Sequence, residues 1–194
     1  DVENDDFVNI AHRGASGDFT ENTLQAFEEA IDRGRNAIEF DVQSIGNRFR
    51  VFHDLNFHRM FGIDVETSKI SEDEVSKLVY PNLEKLPTLQ EALDCINGRV
   101  DVNVEIKSNS VAVNIANIAE SYLEKPEWKN KSITLSCFSL ATINTLYRFR
   151  KKVKLSYLLY DQYCNLEEIK RLKNDYIKYN IHSLNLPLES ISKQ

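Results

Sequence analysis

The chain has 194 residues, 42% of them hydrophobic and 28% charged, with a formal net charge of −6. That is enough apolar material for one domain with a substantial core, and no stretch is biased enough to stay unfolded. The acidic balance, without any basic stripe, excludes a protein whose main work is holding nucleic acid, so no nucleic-acid partner is expected; a small anionic substrate stays open, because a local cation can outweigh the global charge.

Residues 7–11 form a short apolar run suited to a buried strand, and the run stops at His12-Arg13-Gly14. Over residues 23–33, Leu24, Phe27, Ala30 and Ile31 fall at helical spacing, and Gly34 is placed to end the helix. Residues 36–42 and 49–53 read as the second and third strands. The turn between them is too short for a right-handed crossover, which needs about a dozen residues, so an antiparallel hairpin is predicted. Such a hairpin brings Asp41 and His53 near each other. Residues 54–86 are polar and irregular and read as an insertion, with a short helix at 72–79.

A helix over residues 88–95 is marked by Thr88 as N-cap and Glu91 three residues on, the spacing of a capping box. Strands at 100–106, 132–138, 153–159 and 181–186 then alternate with helices at 111–123, 140–149 and 166–179. Such alternation predicts an α/β domain on a mostly parallel sheet. Seven strands fall short of the eight of a (β/α)₈ barrel, which typically has ~250 residues. The expectation is therefore a distorted (β/α)₈ TIM barrel lacking its last strand–helix unit, a single domain over residues 1–194.

Cys95, Cys137 and Cys164 are far apart and odd in number, which leaves no complete disulfide framework and no zinc cluster. No run of ~18 apolar residues occurs, so no transmembrane segment is expected. The lack of a visible leader and the odd cysteine count point to the cytoplasm, with secretion the alternative if a leader was removed. Nothing in the sequence signals an oligomeric state.

The polar residues of interest gather at predicted strand ends: His12 and Arg13 after the first, Glu39 and Asp41 on the second, His53 closing the third, Glu105 and Lys107 on the fourth. In α/β barrels that rim carries the active site. Glu39 and Asp41, two apart, project from one strand face, and Glu105 and Lys107 share that spacing on a strand of valine and isoleucine. Three converging carboxylates repel unless something positive sits between them, and a hard divalent cation with oxygen ligands meets that need. Taken singly, each residue has a plainer reading. A strand-end carboxylate caps a helix or pairs on the surface; His12 bonds a carbonyl in the core; His53-Asp54 makes an Asx turn. His58 and His182 have no ordered context, Cys95 and Cys137 read as core residues, and the tyrosines at 157, 160, 163, 176 and 179 read as packing. Their co-occurrence at matching strand ends favours a site.

The ordered set His12-Arg13-Gly14, Glu21-Asn22-Thr23 with Ala26-Phe27, Glu39-Phe40-Asp41-Val42, His53-Asp54 with Arg59, Pro87-Thr88-Leu89 and Glu105-Ile106-Lys107 resembles the glycerophosphodiester phosphodiesterase family. The likeness covers residues 8–107 and fades beyond Ser136-Cys137-Phe138-Ser139. It implies a distorted (β/α)₈ barrel with an inserted segment, and one divalent cation, Mg²⁺ or Ca²⁺, on Glu39, Asp41 and Glu105. It also implies His12 and His53 as the acid–base pair, Arg13 and Lys107 on the phosphate, and a small-molecule glycerophosphodiester as substrate. Thr20 replaces a usual proline, Ile45-Gly46-Asn47-Arg48 replaces a Lys-Asp-Gly type turn, and the family's final Trp-Thr-Val-Asn-like strand has no counterpart. A related phospholipase, phosphatidylinositol-specific or lysophospholipase D in type, and a non-catalytic metal-binding barrel are the alternatives.

Overall fold

The computed structural model describes residues 9–159, Glu167 and the backbone of Ser183–Asn185. The strands are β1 (Ile10–His12), β2 (Ala37–Ile45), β3 (Arg48–Val51), β4 (Asp101–Ile106), β5 (Ile133–Cys137), β6 (Lys154–Leu158) and β7 (Ser183–Asn185). The helices are α1 (Leu24–Asp32), α2 (His58–Phe61), α3 (Glu72–Val75), α4 (Leu89–Ile96), α5 (Ala112–Leu123) and α6 (Leu140–Phe149). The sheet runs β1-β2-β4-β5-β6-β7, parallel throughout, while β3 pairs antiparallel with β2 as the short turn demanded. This is the expected α/β order of a (β/α)₈ barrel. Among the described residues β1 pairs with β2 and β7 with β6, so the part of the sheet they form is an open arc.

The two faces of the arc differ in character. Ile38, Phe40 and Val42 of β2, Val102, Val104 and Ile106 of β4, and Ile133, Leu135 and Cys137 of β5 join Phe27, Leu93, Ile115 and Ile143 from the helices in one buried core. The alternate positions therefore face the other way. They are Glu39, Asp41 and Gln43 on β2, Asn103 and Glu105 on β4, and Ser136 on β5. Ser136 Oγ donates to Asn103 Oδ1 at 2.8 Å across that face. A strand buried on both sides would ordinarily be apolar throughout; here the inner row is polar.

A second apolar cluster lies under residues 54–86. Ile45, Phe52, Phe57, Ile70, Val75, Tyr80 and Leu86 are buried together, with Met60 and Phe61 against them. Buried Gln43 ties this segment to the sheet: its Nε2 donates to the carbonyls of Phe52 (2.8 Å) and Asp54 (2.7 Å), and its Oε1 accepts from Thr67 Oγ1 (2.8 Å). The helix expected at 72–79 is the single turn α3, closed by the Ser71–Glu74 capping box. The four-residue α2 lies where no helix was predicted. The first strand is shifted toward its C-terminal end, placing His12 inside it, and β3 ends at Val51, so His53 follows the strand instead of closing it. Among the described residues no helix is long and apolar enough to cross a membrane. The expected helix 166–179 lies outside the described residues apart from Glu167, as do Cys164, His182 and the tyrosines at 160, 163, 176 and 179.

Candidate active site

Register aligns the chemistry. His12 stands opposite Glu39 across the β1–β2 pair, and Asp41 stands opposite Glu105 across the β2–β4 pair. Because parallel strands in register put like-facing side chains side by side, three carboxylates from two strands meet without any loop rearrangement. One ligand oxygen from each of Glu39, Asp41 and Glu105 lies within 4.8 Å of the others. Glu39 and Asp41 are buried.

Two cations flank this group. Lys107 follows β4, with Nζ 2.7 Å from Glu105 Oε1 and 3.6 Å from Asp41 Oδ1. Arg13 follows β1, with Nε 3.5 Å from Asp41 Oδ2 and Nη1 at 3.2 and 3.3 Å from the oxygens of Glu21. Burial lowers the proton affinity of Lys107, but Glu105 and Asp41 outweigh it and the net shift is upward, so the ammonium stays charged. The His-Arg-Gly turn needs left-handed backbone: φ is 57° at Arg13 and 80° at Gly14. A Cβ at Gly14 would come within 2.8 Å of the Ala26 backbone carbon. Asn22, also left-handed at φ 58° and fully buried, donates from Nδ2 to Asp41 Oδ2 at 3.2 Å.

Two positive groups do not neutralise three carboxylates. Burial first, and then the charges of Asp41 and Glu105, push the Glu39 carboxyl up to about 8. Asp41 Oδ1 is buried without a hydrogen-bond partner. A buried carboxylate oxygen met only by the Lys107 ammonium at 3.6 Å, a carboxyl with raised proton affinity and three converging hard oxygen donors fit a divalent cation, which would supply the missing charge.

Both histidines reach this end of the sheet. His12 Nε2 lies 3.5 Å from Glu39 Oε2, and burial, then Arg13, lowers its proton affinity. His53 is near enough for its charge to disfavour protonation of His12. His53 Nδ1 lies 2.7 Å from Asp54 Oδ1. Hydrogen bonds from Arg59 hold the Asp54 carboxyl down at about 2, so it is ionised and Nδ1 is the donor. All seven residues singled out in the sequence, His12, Arg13, Glu39, Asp41, His53, Glu105 and Lys107, thus lie at one end of the sheet. Sequence reasoning assigned no part to the side chains around them, Asn22, Gln43, Glu21, Asp54 and Arg59; the polar identity of Gln43 two residues after Asp41, on the same strand face, was the available signal for one of them.

A model of the glycerophosphoryl diester phosphodiesterase family matches residues 12–185. Glycerophosphodiester phosphodiesterase 1 of Bos taurus is 30% identical over 139 residues, 66% of this chain and 41% of that protein. The chain thus spans less than half the length of this relative. A glycerophosphodiester phosphodiesterase of Caldanaerobacter subterraneus is 28% identical over 184 residues, 89% of this chain and 74% of the other. The crystal structure of the Thermotoga maritima glycerophosphodiester phosphodiesterase superposes with a TM-score of 0.75 at 28% identity, covering 95% of this chain and 75% of that one. An Oleispira antarctica phosphodiesterase solved with its product sn-glycerol-3-phosphate shares the fold at 22% identity and a TM-score of 0.75, covering 94% of this chain and 78% of that one. With the family model matching most of its length, the chain belongs to the glycerophosphoryl diester phosphodiesterase family.

Proposed function

We propose that the protein hydrolyses glycerophosphodiesters to sn-glycerol 3-phosphate and an alcohol, using one divalent cation, Mg²⁺ or Ca²⁺, held by Glu39, Asp41 and Glu105. The observation that carries this reading is the convergence of those three carboxylates with two histidines and two cationic side chains at one sheet end. Family membership supports the reaction class, and the product seen in the Oleispira antarctica protein supports the substrate. We also propose that residues 1–194 form one domain in which 54–86 is an insertion, supported by the separate cluster beneath that segment.

A phosphodiester anion repels its nucleophile and has a poor alkoxide leaving group. Bound at the carboxylates, the cation would neutralise non-bridging oxygen charge and acidify a bound hydroxyl. Arg13 and Lys107 would grip the phosphate and stabilise the charge that builds on the pentacoordinate transition state. His12, with lowered proton affinity, would take a proton from the attacking water as its oxygen bonds to phosphorus. His53, with Nδ1 turned to Asp54, would present Nε2 to protonate the departing alcohol oxygen as its bond to phosphorus breaks.

The test is release of sn-glycerol 3-phosphate from glycerophosphocholine, first with EDTA and then with added Mg²⁺ or Ca²⁺. Turnover that EDTA abolishes and the cation restores is expected, together with loss of about 100-fold or more in His12→Ala. Turnover that persists undiminished in EDTA would remove the cation from the reading. A silent, folded and cation-loaded protein would remove the substrate class.

A further inference from the structure

Arg59 belongs to the segment between β3 and α4, outside the sheet that carries the seven site residues. Its placement is determined by aromatic packing. The neighbours at i−2 and i+2, Phe57 and Phe61, pack tilted against Phe52 and edge-on against each other, with centroids 5.0 Å apart for Phe52–Phe57 and 6.0 Å for Phe57–Phe61. Phe61 also meets the buried Tyr80 at 4.7 Å. Gly62, left-handed at φ 70°, stops the helix straight after. A single turn held at both aromatic positions has little freedom to move the arginine between them.

From that position the guanidinium meets two carboxylates at once. Nε and Nη2 bond the oxygens of Asp54 at 2.8 and 3.0 Å. Nη1 and Nη2 bond those of Glu21 at 3.2 and 2.5 Å. Asp54 in turn faces His53 Nδ1 at 2.7 Å, and Glu21 faces Arg13 Nη1. One side chain therefore joins the loop after β1 to the residues after β3. Only a planar fork with several fixed donors can do this; an ammonium cannot span both partners in plane.

Removing Arg59 would leave Glu21 and Asp54 facing each other with Arg13 as the nearest cation. Glu21 would then draw Arg13 away from Asp41 and from any phosphate bound there, while Asp54 would lose the pair of bonds that orients it toward His53. We propose that Arg59 is a positioning residue: by clamping Asp54 and Glu21 together it fixes the tautomer and direction of His53 and keeps Arg13 aimed at the phosphate. The inference rests on the function proposed above.

Imidazole ¹⁵N chemical shifts of His53, which distinguish the two tautomers, provide a readout that needs no turnover. In the wild type they are expected to report Nδ1–H. In Arg59→Ala they are expected to shift to a mixture, as in Asp54→Asn. Turnover should fall about 100-fold, the scale on which small misplacements act, and the double variant should be slower than Asp54→Asn alone, because Asp54→Asn leaves the Glu21 arm of the clamp in place. Some thermal stability should be lost as well, because Glu21 and Asp54 are mostly shielded and lose their shared cation, so the imidazole signals, which a purely structural role would leave unchanged in the folded variant, are the deciding readout. Should the alanine variant fail to fold, Arg59→Lys keeps the charge without the double grip and is expected to give the same tautomer mixture. Unchanged imidazole signals in either folded variant, or kcat within about threefold of wild type, would overturn the proposal. A wild type that cleaves no glycerophosphodiester would instead defeat the functional reading, and the imidazole signals would still decide whether the clamp exists.

Discussion

At the residue scale the site depends on backbone that most side chains resist. Arg13 and Asn22 both adopt left-handed φ, a conformation that costs an ordinary residue roughly 1–2 kcal/mol. Both residues are held by bonds to the residues of the site. Arg13 N–H donates to the Glu39 carbonyl at 2.8 Å, and Asn22 reaches the buried Asp41. At Gly14 a Cβ would strike the Ala26 backbone at 2.8 Å, and its φ of 80° is strained for any L side chain. Gly14→Ala is therefore expected to lose about 1–3 kcal/mol in urea denaturation and to lower activity, since it displaces His12 and Arg13 beside it. At Gly17 an added Cβ meets nothing within 4 Å, so Gly17→Ala should stay within about 0.5 kcal/mol of wild type. Equal effects at the two positions would contradict this account.

At the element scale, stability and legibility follow the same division. Helix α4 was readable because its start is encoded locally: Thr88 Oγ1 accepts from Glu91 N–H at 3.1 Å, and Glu91 answers by accepting from Thr88 N–H at 2.8 Å. Helix α2 was not readable. It is four residues long, its N-cap Phe57 makes no side-chain bond, and it exists because aromatic rings from separate stretches of chain meet there. Contacts between residues distant in sequence leave no periodic trace in it. The same reasoning separates two substitutions. Thr88→Ala removes one cap and should cost about 1 kcal/mol. Phe57→Ala empties the centre of the second cluster and should cost about 3–5 kcal/mol. Thermal or urea unfolding of the two variants checks the order, and a cap variant as damaging as the cavity variant would show that α4, not the aromatic cluster, secures this end of the sheet.

At the scale of the whole molecule, the alternating strands and helices announced a parallel α/β sheet, and strand-end charges announced a polar cluster at one end of it. The sequence left unmarked how burial would set the charge of the carboxylates, because that depends on three side chains from two strands closing on one another. Glu39 is where this matters for the entire fold. Its carboxyl is raised from 4.5 to about 8, first by burial and then by Asp41 and Glu105. The native protein therefore holds this proton more tightly than the unfolded chain does. The sign follows: below about 4.5 Glu39 adds nothing adverse, and as pH rises from 4.5 to about 8 the unfolded chain ionises first and the cation-free fold loses stability. A divalent cation reverses this, because it binds the ionised carboxylate and only in the folded arrangement. At 100 times its dissociation constant it should add about 2.7 kcal/mol to unfolding and at pH 7 expel about one proton per ion, measurable with a pH-indicator dye. Glu39→Gln removes the titrating group without changing its size, so it should flatten stability across that window and abolish the proton release. If the cation-free wild type is as stable at pH 8 as at pH 5 while Glu39→Gln behaves identically, Glu39 is already ionised, and Arg13 and Lys107 alone balance the three carboxylates.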